Sequence, residues 1–214
     1  MMEPELFRSK LLKFPCNYMQ DFDSFWRWKL KVETKGGHIL DERHRETTYY
    51  KLRDVLANWQ TYRSSRNSDH WGTLKRSLEA ISDAYDQLRM FTILEFNVIP
   101  NNILELTWHE LGRVKEYNAS RNDVGHYYVI SICKPLMLLW GQTLAFDSRV
   151  RANIPYRYSF LERNRWTLKE WKIIMESLQR SLQQNSEMIS YFRKESLKKY
   201  GNENIVPFGR FMDI

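Results

Sequence analysis

In the stretch GQTLAFDSRVRANIP, residues 141–155, a short apolar run, Leu144-Ala145-Phe146, delivers one carboxylate, Asp147. Two arginines, Arg149 and Arg151, follow at once. A carboxylate inside a basic rim can do two kinds of work. It can accept the amides that open a short helix, as Asp does at an N-cap. It can also stabilise positive charge developing on a reacting group and help position water, an effect that is strong in a site screened from solvent. The two roles are compatible, because a carboxylate held by a cap is held in place.

Upstream, the turn NDVGH (residues 122–126) feeds an almost uniformly apolar stretch, VISICKPLMLLW, that ends at Gly141. Its length favours a buried helix over a strand. A helix starting at the turn would leave the amides of Val124, Gly125 and His126 without intrahelical acceptors, and such amides suit a phosphate. A five-residue loop then returns the chain to Asp147. Together these parts can hold a nucleic-acid backbone while one carboxylate faces the sugar.

The elements that must position these groups read as helical. Residues 1–45 form an irregular aromatic segment, with a hairpin and a loop around a short helix both open. From Glu46, Tyr49, Leu52, Val55, Leu56 and Trp59 recur at three- and four-residue steps. Leu74, Leu78, Ile81, Tyr85 and Leu88 form a second such stripe, and ILELTWHELGRVKEYN a third helix. Pro135 sits inside the apolar helix and is expected to kink it, and Gly141 suits its C-terminal stop. Asp147 caps the short helix SRVRAN. Thr167 and Glu170 make a capping box for a long amphipathic helix with a break near Asn185. Lys198 and Lys199 complement the dipole at its end. The fold class is therefore all-α, a multi-helix bundle in which residues 46–214 carry both the hairpin at 122–126 and the Asp147 loop.

The segment from Asn122 to Arg151 resembles the core of the helix-hairpin-helix DNA glycosylases, the HhH-GPD superfamily. Their pattern is a hairpin of the type Gly-Val-Gly, an apolar helix, a loop, and then Val-Asp-Thr-His-Val. Here the hairpin reads Asp123-Val124-Gly125, Asp147 lies 22 positions after Gly125, and Phe146-Asp147-Ser148-Arg149-Val150 takes the place of the final motif. Three departures stand out: Asp123 replaces the first hairpin glycine, Pro135 interrupts the following helix, and Tyr127 stands where strand-cleaving members carry a lysine. Lys134, the sole lysine of that helix, lies about two turns further on and is not assigned that role. The resemblance implies a monofunctional enzyme that excises a damaged or modified base, including phage-type modified bases. Asp147 would stabilise the oxocarbenium-like sugar, and Val124, Gly125, His126, Arg149 and Arg151 would hold the duplex. The extruded base would stack on a ring drawn from Tyr127, Tyr128, Trp140, Trp26 and Trp28.

Composition bounds these readings. Of 214 residues 43% are apolar, enough for a real core, and Gly and Pro are few, at 8 and 6. Lys and Arg outnumber Asp and Glu by 33 to 26, a net charge of +7 that favours a polyanionic partner, nucleic acid before a membrane; the resemblance implies double-stranded DNA as that partner. Two cysteines, Cys16 and Cys133, cannot build a metal cluster, and neither His126 nor its neighbours offer a metal spacing, so no cofactor is expected. The longest apolar run, PLMLLW, is too short to span a bilayer, and a soluble, cytoplasmic protein is expected. His44 and His70 stand in polar contexts and are read as solvated. Two other functions remain open: a non-catalytic helical nucleic-acid-binding module, and a helical protein-interaction protein whose interface is the C-terminal helix.

Overall fold

A computed structural model describes residues 16–62, 69–115, 125–154 and 158–212. The described chain is all-α apart from one two-stranded ribbon. Its helices are α1 (Cys16–Glu33), α2 (Arg45–Asn58), α3 (His70–Ala80), α4 (Ser82–Leu88), α5 (Asn101–Arg113), α6 (Val129–Trp140), α7 (Ser148–Asn153), α8 (Leu168–Gln183), α9 (Ser186–Tyr200) and α10 (Phe208–Met212). Short 3-10 turns lie at Ile93–Val98 and Ser159–Glu162. The ribbon pairs β1 (Tyr127–Tyr128) antiparallel with β2 (Arg165–Trp166), with Tyr127 opposite Trp166.

The segment read as irregular is a helix for much of its length. Phe22, Phe25, Trp26, Lys29 and Leu30 are all buried and recur at helical spacing. The pattern is disguised because Lys29 occupies a core position. Its ammonium pairs with Glu33 one turn on and lies 4.4 Å from the centre of the Trp26 ring. Glu33 in turn accepts the Tyr85 hydroxyl at 2.7 Å, so the buried charges are paired and hydrogen-bonded.

The predicted stripes of α2 to α4 all point into the core, including Tyr49, Trp59, Leu78 and Leu88. The second stripe is carried by two helices that meet at Ile81. At the C-terminal end the Thr167–Glu170 capping box is formed, and Asn185 caps α9 by accepting the Met188 amide, which divides the long amphipathic segment in two.

Helix α6 is the central strut, packed against α1, α2 and α5. Pro135 lies inside it and has no amide to offer the Ser131 carbonyl one turn back. The Tyr62 hydroxyl donates to that carbonyl instead, at 2.9 Å. Burial raises the Tyr62 phenol far above its ordinary pKa, so it stays a donor. Gly141 ends α6 with φ +78°, and a Cβ there would stand 2.3 Å from the Trp26 ring, so both the backbone and the packing require glycine.

Candidate functional site

Asp147 caps α7 as its position suggests. One carboxylate oxygen accepts the amides of Arg149 and Val150, each at 3.0 Å. The other has no hydrogen-bond partner among the described residues, and the side chain is half-buried. The residue that delivers it, Phe146, has φ +49°, a left-handed conformation that a bulky residue adopts only when its surroundings force it. The force here is packing. Phe146 is fully buried, with its ring 5.1 Å from that of Trp166 on β2.

Arg151 is not a free cation at the rim. It is buried, and its guanidinium donates to the carbonyls of Leu161 and Arg163 and, at 2.7 Å, to the Asn164 side chain. Burial lowers its pKa, and the Asp147 charge opposes that shift. Its expected role as a phosphate ligand gives way to one of pinning the 161–164 loop. Arg149, by contrast, is exposed.

The turn differs from expectation in a way that matters. Val124, with Asn122 and Asp123, lies outside the described residues. Gly125 has φ +96°, as a turn glycine should, and His126 is half-buried. The chain then enters β1, and α6 starts only at Val129. The amides at Gly125 and His126 are therefore not the open end of the helix. That end is closed by the ribbon, where the Val129 amide donates to the Asn164 carbonyl at 3.0 Å. Two-residue strands carry no periodicity that would announce them.

The ribbon and the segment before β2 nonetheless tie α6 to α7. Asn164 receives Arg151 of α7 through its side chain and Val129 of α6 through its carbonyl. Trp166 is paired with Tyr127 and stacked edge-on with Phe146, next to Asp147. A cavity of about 590 Å³ opens beside α7, bordered by Ser148, Arg151, Tyr158 and Glu162.

The aromatic candidates separate cleanly. Trp26 and Trp140 are core residues, 0% and 2% exposed, and cannot receive a base. The Trp140 indole donates to the Phe91 carbonyl. Tyr127 packs on the face of Gly112 and its hydroxyl meets His109 Nδ1 at 2.9 Å. Tyr128 is half-buried between two cations, with Lys115 Nζ 4.2 Å and the Arg165 guanidinium 4.7 Å from its ring centre. Trp28 is half-buried on a different cavity, between α1 and α2. Lys134 faces Trp59, donating to its carbonyl and lying over its ring. His70 is buried with Nδ1 2.7 Å from the Val114 carbonyl, contrary to the solvated reading. His44 is half-buried and paired with Asp41.

Sequence reasoning missed Lys115, Asn164 and Arg165. The run Arg163-Asn164-Arg165 was visible as a cluster of cations, but its place opposite β1 was not. No helix among the described residues is long and apolar enough to cross a membrane. Comparison of the chain with protein-family models, curated proteins and solved structures finds no match.

Proposed function

We propose that this protein binds nucleic acid across the face formed by β1, β2, the 161–164 loop and α7, and that Asp147 there promotes hydrolysis of the N-glycosidic bond of a damaged or modified base. One observation carries the reading: a strained, core-locked Phe146, packed on Trp166 of the ribbon, presents Asp147, and the same ribbon carries Tyr128 with Lys115 and Arg165 at its ring. Backbone strain held by packing is a recurrent feature of functional sites. The Asp147 oxygen that has no partner among the described residues is the group that would face the sugar, stabilising the cationic state as the base departs. Tyr128 offers a stacking surface, and Arg149, Lys115 and Arg165 offer phosphate contacts.

A panel of duplexes bearing damaged and phage-type modified bases tests this. Mass spectrometry should detect a free base from at least one, leaving an alkali-labile abasic site, and Asp147→Asn should release none. A second reading keeps the binding and drops the chemistry. It is favoured by the two amides that already occupy one Asp147 oxygen, since that is what a purely structural cap does. Salt-dependent binding with no base released from any duplex would establish it in place of the first.

A further inference from the structure

Away from that face, α1 and the segment that leads from it into α2 border a second, open cavity of about 850 Å³, within the range of small-molecule sites. One wall is the half-buried indole of Trp28, which packs edge-on against Phe25. Lys31, Lys35 and Arg43 line the same cavity and are exposed. Among the described residues no carboxylate pairs with any of these three cations. Lys51, with Nζ 5.7 Å from the centre of the Trp28 ring, adds a fourth positive charge nearby.

Two carboxylates, Asp41 and Glu42, share the cavity with these cations and leave its lining with a small positive excess. Asp41 is occupied by its own turn. One of its oxygens accepts the His44 amide at 2.9 Å and meets His44 Nδ1 at 2.8 Å, and the other accepts the His38 amide. Burial pushes the Asp41 carboxyl up, but these hydrogen bonds outweigh it and hold the group below its ordinary range. Glu42 is exposed. With Nδ1 taken, His44 has Nε2 left for a ligand. The turn itself is built for close approach. Gly36 has φ +84° with open space where a Cβ would stand, and the Gly37 amide has no acceptor among the described residues.

We infer that this cavity binds a nucleoside phosphate, with the base stacked on Trp28 and the phosphates among Lys31, Lys35 and Arg43. An indole beside three cations that pair with no carboxylate among the described residues matches a planar ring joined to a polyanion, which neither a simple anion nor an apolar ligand does. The ligand is a free nucleotide or the terminal nucleotide of a single strand, since both carry this chemistry. The inference does not depend on the role of Asp147.

Calorimetric titration with ADP, inorganic pyrophosphate and a 5′-phosphorylated single-stranded oligonucleotide tests it. ADP binds saturably, and pyrophosphate about 10-fold more weakly, the loss expected without a base stack. Replacing Lys31, Lys35 and Arg43 together by Gln lowers ADP affinity at least about 10-fold, as loss of charge-assisted phosphate contacts should. Their exposure makes an unchanged melting temperature the control. Trp28→Ala brings ADP to the level of pyrophosphate, while Trp28→Phe keeps most of the preference. Asp147→Asn binds ADP like the wild type. Binding of the oligonucleotide but not ADP supports the same site with a strand end as its ligand. Failure of both to bind at millimolar concentration overturns the inference, as does equal affinity for ADP and pyrophosphate, or indifference to the triple substitution.

Discussion

Asp147 and Lys29 are both charged groups held by their neighbours, and substitution distinguishes what each contributes. An asparagine at position 147 keeps an oxygen for the amides of Arg149 and Val150, so the α7 cap survives. Asp147→Ala removes it and costs about 1 kcal/mol, the typical worth of an N-cap. Chemical denaturation should therefore rank Asp147→Asn close to wild type and Asp147→Ala below it, while base release is lost in both. An alanine variant that retains base release would reduce Asp147 to a cap. Lys29 tests a different balance. Lys29→Met leaves Glu33 buried with Tyr85 as its remaining donor and costs about 3 kcal/mol, whereas Lys29→Met combined with Glu33→Leu recovers most of that. Burial lowers the Lys29 pKa despite the opposing charge and hydrogen bond of Glu33. The unfolded chain thus binds this proton more tightly, so the Lys29 contribution to stability rises with pH from the folded pKa up to the ordinary lysine range. Urea melts across that window should show the slope in the wild type and its loss in Lys29→Met.

Helix α6 poses the corresponding question for an element. Its proline leaves one buried carbonyl to Tyr62, a partner 69 positions away in sequence. Tyr62→Phe orphans that carbonyl and costs about 1–2 kcal/mol. In a Pro135→Ala background the new amide can reach Ser131, and the same Tyr62→Phe change should cost less than about 0.5 kcal/mol. A double-mutant cycle on melting stability measures the difference, and equal costs in the two backgrounds would mean that the hydroxyl does not stand in for the helix bond. The case also marks what is legible in a sequence. Pro135, the Gly141 stop, the Thr167–Glu170 box, the Asn185 break and the Asp147 cap are local, and each is readable from residues within one turn. Helix α1 was hidden because two positions of its inner stripe, Lys29 and Glu33, are charged and neutralise each other only once folded. The start of α6 was misplaced because β1 owes its existence to β2, a partner set by tertiary packing. For the same reason Asp147 was found from its own neighbours, while Lys115 and Arg165, which flank Tyr128 from distant segments, were not.

At the scale of the whole molecule the issue is whether a charge of +7 is organised or incidental. Paired cations do not count toward a polyanion. Lys29 pairs with Glu33, Arg163 with Glu170 and Lys199 with Asp23, and Arg151 is committed to carbonyls. Among the described residues, Lys115 and Arg165 flank the half-buried ring of Tyr128, and Lys31, Lys35 and Arg43 line a cavity beside the half-buried Trp28. Charge beside a stacking surface is the combination that grips nucleic acid. If the ribbon face neutralises about four phosphates of a duplex, counterion release makes affinity fall about 100-fold between 50 and 200 mM salt. Lys115→Gln should lower the slope of log affinity against log salt by about one, uniformly across sequences. Gln at the three cations of the other cavity should leave duplex affinity and slope unchanged, because those residues serve a separate ligand. Fluorescence anisotropy with a labelled duplex over a salt series reads all three proteins. A wild-type affinity that is flat in salt, or a Lys115→Gln slope equal to that of the wild type, would mean that the surplus positive charge is incidental and that the ribbon is not the nucleic-acid face.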